Sequence, residues 1–114
     1  MKLMKQSNSD IVFENLVLAD TLISRTVGLL GKKGLGPKEA LWITRCNAIH
    51  TFFMKFPIDC VFFDKQGKIK KIYHNVQPWR WAGPVWGATA VIEMAAGQAR
   101  DKKLNEGDVI ECGP

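Results

Sequence analysis

Cys46-Asn-Ala-Ile-His-Thr-Phe-Phe-Met-Lys-Phe-Pro-Ile-Asp-Cys-Val-Phe-Phe-Asp64 is the stretch on which the reading of this chain turns. It holds two of the three cysteines, one of the two histidines and five of the six phenylalanines. Polar and reactive groups sit inside an apolar, strand-like run. Buried polar groups cost free energy unless they find partners, so the mixture points either to structural pairing or to a site. Ile58 to Phe63 is apolar on both faces apart from Asp59, the pattern of a covered interior strand. His50 to Lys55 alternates and reads as a strand, with His50, Phe52 and Met54 on one side and Thr51, Phe53 and Lys55 on the other. Pro57 cannot donate to a ladder and marks a strand end or bulge.

Working outward, Asp64-Lys-Gln-Gly67 is a hairpin turn with Gly67 at the positive-φ position. Lys68 to Val76 returns antiparallel, and its slipping pattern predicts a bulge or an exposed edge near Lys70 and Lys71. Upstream, Asp10 to Leu18 has strand composition. Asp20 then caps a helix over Thr21 to Leu30 that Gly31 ends, and Ala40 to Arg45 is a short strand. Downstream, Gln77 to Gly87 is irregular and carries three of the four tryptophans. Ala88 to Ala95 and Val109 to Cys112 read as strands on either side of a short helix over Gln98 to Leu104. The expected fold is therefore α+β and mainly β. About seven short, mostly antiparallel strands would curl into a small barrel-like sheet, with one or two short helices. At 114 residues the chain is read as a flexible segment over 1–9 and a single domain over 10–114.

The formal charge of +5 is modest and gathers in small lysine and arginine groups. Such charge attracts anionic partners non-specifically and also serves as a solubilising surface. No apolar run reaches the roughly eighteen residues of a membrane-crossing helix. The first ten residues lack the apolar middle of a secretory signal, so the expected location is cytoplasmic. Three cysteines without a CxxC spacing fit reduced thiols. A single Cys46–Cys60 or Cys60–Cys112 bridge stays open at this level.

Several elements together resemble the domain-of-unknown-function 192 family of small bacterial and archaeal proteins. They are Arg25-Thr-Val-Gly-Leu-Leu-Gly31, His50-Thr-Phe-Phe-Met-Lys-Phe-Pro-Ile-Asp59, Phe62-Phe-Asp64, Gly67-Lys-Ile69, Ala90-Val-Ile-Glu93 with Ala96-Gly97, and Gly107-Asp-Val-Ile110. They keep the family's order and span nearly everything after residue 10. The chain departs at Leu30, where Met is more usual, and at Phe56, where many members have Asn. The resemblance implies a compact, mostly-β domain and, as the name says, no established role. Many relatives look exported.

Four chemistries follow from the residues. Cys46 with His50 is a nucleophile–base pair in type, since a thiolate needs a nearby imidazole or cation to form near neutral pH. A buried, inert thiol is the competing reading. Cys46, His50, Met54 and Cys60 are soft donors, but on a strand His50 and Met54 would stand roughly 13 Å apart at ~3.3 Å per residue, too far to share one ion. No metal and no cofactor is therefore expected. Asp59, with Arg25 or Lys55 as counter-ion, would either brace the bend at Pro57 or bind ligand, and Glu93 raises the same question. Trp79, Arg80, Trp81 and Trp86 offer rings and a guanidinium to a sugar, a base or a protein groove. Together these favour a binding module over an enzyme. Its cleft would lie between His50–Asp59 and Trp79–Trp86. Arg25, His50, Thr51, Lys55, Asp59 and Glu93 would supply polar contacts, and Phe53, Trp79 and Trp81 the walls. The ligand would be a small polar molecule, a glycan or a partner peptide. A hydrolase or transferase using Cys46 or Asp59 with His50 is the alternative, and weak single-stranded nucleic-acid binding the second.

Overall fold

Ile58–Phe63 is an interior strand with all six side chains buried, and the molecule is built on its two faces. The computed structural model describes residues 2–5, 11–13, 15–19, 36 and 39–113. These form β1 (Lys2–Lys5), β2 (Ile11–Phe13), β3 (Asn15–Ala19), β4 (Glu39–Thr44), β5 (Ile49–His50), β6 (Ile58–Phe63), β7 (Ile69–Val76), β8 (Trp81–Ala82), β9 (Ala90–Ala95), α1 (Gln98–Asp101) and β10 (Ile110–Gly113). The main sheet has five strands in the order β3-β4-β9-β6-β7, parallel between β3 and β4 and antiparallel elsewhere. A three-stranded sheet, β10-β1-β2, and the β5-β8 pair complete the set. The fold is α+β and strand-dominated, as the patterning implies. No sheet among the described residues closes into a barrel: the two-faced strands are covered by other layers instead.

Alternation along β6 and β9 sorts the apolar side chains into two cores. Val61, Phe63, Ile92 and Met94 pack with Leu3, Phe13, Ala99 and Ile110. Ile58, Cys60, Phe62 and Val91 pack on the other side with Ile49, Met54, Ala82 and Val85. The second cover is thus made by short loop segments, which keeps the neighbouring aromatic residues near solvent.

Three expectations are corrected. Lys2–Lys5, placed in a flexible 1–9 segment, is β1, paired on both edges by β10 and β2. Leu3 is fully buried in the first core, and Lys5 is tied to Asp108 at 3.4 Å, so few residues suffice to fix the strand. Asp10 to Leu18 is two strands in different sheets, since Ile11–Phe13 joins β1 while Asn15–Ala19 lies parallel to β4. His50 to Lys55 is not a strand: β5 ends at His50, and the Met54 N–H donates to the Thr51 carbonyl (3.1 Å) to close a turn. The helix expected over Thr21 to Leu30 lies outside the described residues, as does Arg25.

The Asp64–Gly67 turn forms as read. The Gly67 N–H donates to the Asp64 carbonyl (3.0 Å), and the Asp64 carboxylate accepts the N–H groups of Gln66 and Lys68, each at 2.9 Å. Burial pushes that carboxyl upward, but these N–H groups and Lys70 outweigh it and hold it below its usual range. Gly67 is obligatory twice over: its φ is +82°, and a Cβ there would strike the Ile110 carbonyl oxygen. On β7 the register slips as expected. Phe62 faces Lys71 and Phe63 faces Ile69, leaving Lys70 as an extra exposed residue on the sheet edge.

A second slip, between Ile58 and Cys60, places Asn75 at φ 54°. Its N–H then turns inward and donates to Asp59 Oδ1 (2.8 Å). Asp59 Oδ2 accepts the N–H groups of Gly97 and Ala99, both at 3.0 Å. Gly97 is the α1 N-cap and has no side chain to do this, so Asp59 caps the helix from the sheet. Asp59 has 0% exposure and braces the fold with backbone donors, not with Lys55, which is exposed.

Two predictions follow from the buried carboxylates. Asp59→Ala leaves one buried and two partly buried N–H groups without their partner, so urea denaturation should show a loss of about 3–5 kcal/mol, and Asp59→Asn a smaller loss. Glu93, 5% exposed on the second face, has a carboxyl that burial raises to about 7. The folded state therefore holds a proton that the unfolded chain releases from pH ~4.5 upward. Stability should fall between about pH 4.5 and 7 and then level off, and Glu93→Gln should lack that fall, so that the wild-type minus mutant difference isolates it.

Candidate functional site: an exposed aromatic surface

The Gln77–Ala82 stretch folds back on the turn after β5, and one threonine clasps the two. Thr51 has 0% exposure. Its N–H donates to the Arg80 carbonyl (2.8 Å), and its own carbonyl accepts the Trp79 N–H (3.0 Å). Its hydroxyl accepts from the Arg80 N–H (2.9 Å) and donates to the Gln77 carbonyl (2.7 Å). The β5-β8 pair, Ile49 against Ala82 and His50 against Trp81, continues the same contact.

This clasp turns rings outward. Phe53, Trp79 and Trp81 are 66%, 54% and 65% exposed. Phe53 meets Trp79 at 4.6 Å between centroids, Trp79 meets Phe52 at 5.8 Å, Phe52 meets Trp81 at 5.5 Å, and Trp81 meets His50 at 5.6 Å. Phe53 and Trp79 hold φ at 67° and 65°, where bulky side chains are strained. Such residues cost roughly 1–3 kcal/mol each and persist only when surrounding bonds over-determine them, as those of Thr51 do. Lys55 and Arg80 are exposed, and Arg80 Nη1 donates to the Trp79 carbonyl (3.3 Å).

Of the residues picked out in sequence, His50, Phe53, Trp79 and Trp81 come together at this surface, with Thr51 sealed beneath and Lys55 just past the turn. Asp59 and Glu93 lie in the interior and do not line it. Trp86, 87% exposed, stands farther along the loop. Phe52 was missed. It sits between Trp79 and Trp81, and strand alternation had put it opposite Phe53, whereas the Thr51 turn brings both to one cluster. Two hollows share no residue with the rings. One, of about 360 Å³, is lined by Trp42, Phe63, Gln66 and Glu111 among others, and one of about 340 Å³ by Arg45, Cys46, Asn47, Lys65, Ala88 and Thr89.

The thiol chemistry is muted. None of the three cysteines is in a disulfide, so neither candidate bridge forms. The Cys46 thiol donates to the Ala48 carbonyl (3.0 Å), and His50 Nδ1 accepts the Phe52 N–H (3.2 Å), so neither bond joins the pair. Burial, then the charges of Glu93 and Asp59, raises the Cys60 thiol, and burial takes that of Cys112 to about 12. Both stay protonated and poorly nucleophilic. Met54 fills the second core, and among the described residues no three His, Cys, Asp or Glu side chains converge as metal ligands.

Thr51→Val keeps the shape of the side chain and removes the hydroxyl. The Arg80 N–H loses a partner, so stability should drop by about 1–3 kcal/mol, and amide exchange should speed up at Trp79 and Arg80 ahead of the main sheet.

Known proteins share this architecture. The DUF192 family model, described as "Uncharacterized ACR", matches residues 3–112. A UPF0127 protein of Pyrococcus horikoshii is 36% identical over 100 residues, which is 82% of this chain and 84% of that protein. A UPF0127 protein of Thermococcus kodakarensis is 33% identical over 101 residues, 85% of this chain but 64% of the longer relative. A crystal structure of a protein of unknown function from Novosphingobium aromaticivorans superposes with a TM-score of 0.84 at 21% identity, over 97% of this chain and 82% of that one. A protein described as a putative transcription regulator from Sinorhizobium meliloti gives a TM-score of 0.78 at 22% identity, over 96% and 89%. At such identities these two structures show a common fold. With the family match spanning nearly the whole chain, this protein belongs to the domain-of-unknown-function 192 family.

Proposed function

We propose that the chain is a binding module whose contact surface is the ring cluster of the His50–Phe53 turn and the Trp79–Trp81 loop. The observation that carries this is the exposure of three large rings, two of them on strained backbone pinned by a sealed threonine. Scattered exposed apolar residues are ordinary, whereas a contiguous set rimmed by polar groups is the mark of an interaction site. Tryptophan and arginine are also the side chains that most often dominate interface energies. Of the ligands considered, a glycan or an extended segment of a partner suits an open ring surface better than a small molecule, which gains most from an enclosing pocket. His50, Lys55 and Arg80 form the polar rim. The alternative, an enzyme using Cys46 or Asp59 with His50, has its carboxylate sealed behind three backbone bonds and ranks below.

The test is a panel of immobilised oligosaccharides, peptides and oligonucleotides, probed with wild type and with Trp79→Ala/Trp81→Ala. Both rings are exposed, so the variant should keep its urea midpoint and lose at least tenfold in affinity for whatever the wild type retains, since ring anchors are worth about 2 kcal/mol or more. Equal binding by the two proteins, or retention on no member of the panel, rejects the reading.

A further inference from the structure

From residue 45 to residue 93, every charged side chain classed as exposed is Lys or Arg. The acidic residues of that span are withdrawn: Asp59 and Glu93 are buried, and Asp64 is largely covered and lies 3.7 Å from Lys70. The exposed carboxylates of the rest of the described chain lie at Glu39 and between residues 101 and 111. The exposed charges of the ring-bearing span are thus positive, with one carboxylate from outside it, Glu106, 3.9 Å from Lys71, although the whole chain is only +5. Rings and cations are moreover interleaved. Arg80 separates Trp79 from Trp81, and Lys55 follows Phe53 by two residues. The Lys70 stem lies against Gly87, next to the highly exposed Trp86: a Cβ built on that glycine would be 3.5 Å from Lys70 Cε. Trp81 and Trp86 are five residues apart, at most roughly 17 Å between their Cα atoms.

Resting on the binding reading above, we infer that the occupant of this surface is single-stranded nucleic acid, its bases stacked on Trp79, Trp81 and Trp86 and its phosphates met by Arg80, Lys55 and Lys70. Such a strand presents one flat ring and one negative charge per residue, and this surface repeats ring and cation in the same way. An acidic peptide would satisfy the lysines but offers no ring for each tryptophan. A neutral glycan offers rings and no charge. The span from Trp81 to Trp86 suits the low end of the ~4–16 nucleotides that stacking platforms occupy.

The experiment is fluorescence anisotropy with a labelled oligothymidylate of about 15 nucleotides at roughly 50 and 200 mM salt, in competition with a heparin oligosaccharide and an oligoglutamate. With three phosphates met and a slope of about −0.7 per phosphate, affinity should fall roughly twentyfold across that interval. Trp79→Ala/Trp81→Ala should weaken binding at least tenfold with the salt slope unchanged. Lys70→Ser, on the exposed edge, should flatten the slope. Tighter binding of heparin or oligoglutamate at equal salt overturns the inference, as does an oligonucleotide affinity indifferent to salt. Tryptophan-dependent capture of a neutral glycan or peptide without oligonucleotide binding overturns this inference alone and leaves the binding reading standing. Oligonucleotide binding indifferent to both tryptophans overturns the two together.

Discussion

One carboxylate holds together parts of the fold that are distant in sequence. Asp59, the second residue of β6, has 0% exposure, and its two oxygens accept backbone N–H groups from the β7 bulge and from the start of α1. Burying a polar group is costly unless hydrogen bonds satisfy it, and here three do. The bond to Asn75 fixes where β7 slips its register, and that slip sets where the chain leaves the sheet toward Val76, Gln77 and the tryptophan loop. The bonds to Gly97 and Ala99 fix the first turn after β9. A side chain of opposite polarity to its surroundings thus decides the geometry on both flanks of β6.

The two faces of β6 then divide the work. The first core is closed by β1, β2, β10 and α1. Among the described residues, the second is closed by loops and two-residue strands: Ile49, Met54, Ala82, Val85 and Ala88. A cover of that kind has little regular hydrogen bonding of its own, so it needs local fasteners. Thr51 is the main one, with hydrogen-bonded links from its N–H, carbonyl and hydroxyl to Met54, Gln77, Trp79 and Arg80. The side chains that the cover does not need for packing are free to face outward, and these are the rings.

What was legible in the sequence follows the range of the forces involved. Ile58 to Phe63 reads as a covered strand because its apolar pattern is local and unbroken, and the Asp64–Gly67 turn reads because Asp and Gly there act on their own backbone. The lysine bulge on β7 was visible as a break in alternation. His50 to Lys55 misled because its polar–apolar alternation matches a strand. The outcome was set by Gln77 and Arg80, more than twenty residues away, whose backbone groups capture Thr51. β1 was illegible because four residues beside a polar stretch carry almost no periodic signal, and only the pairing with β10 and β2 makes them a strand. In the candidate site the rings of Phe53, Trp79 and Trp81 were legible as unusual, while the buried carboxylates looked equally functional. Composition alone does not separate a charge that lines an opening from one that locks a sheet. Burial and bonding do.

The strain at Phe53 and Trp79 bears on why the rings face outward at all. A glycine or asparagine would occupy either left-handed position at lower cost, and nothing in the second core requires an aromatic there, since both side chains are more than half exposed. Inward-facing rings would add to the core. The chain instead holds two of its largest side chains in unfavourable conformations, adjacent to each other at 4.6 Å, with a fully bonded threonine beneath them. Stability alone disfavours that arrangement on both counts, backbone and solvent exposure. It is accounted for, under the binding proposal, by giving the rings a partner to meet, and under that proposal the cations placed among them match an anionic one.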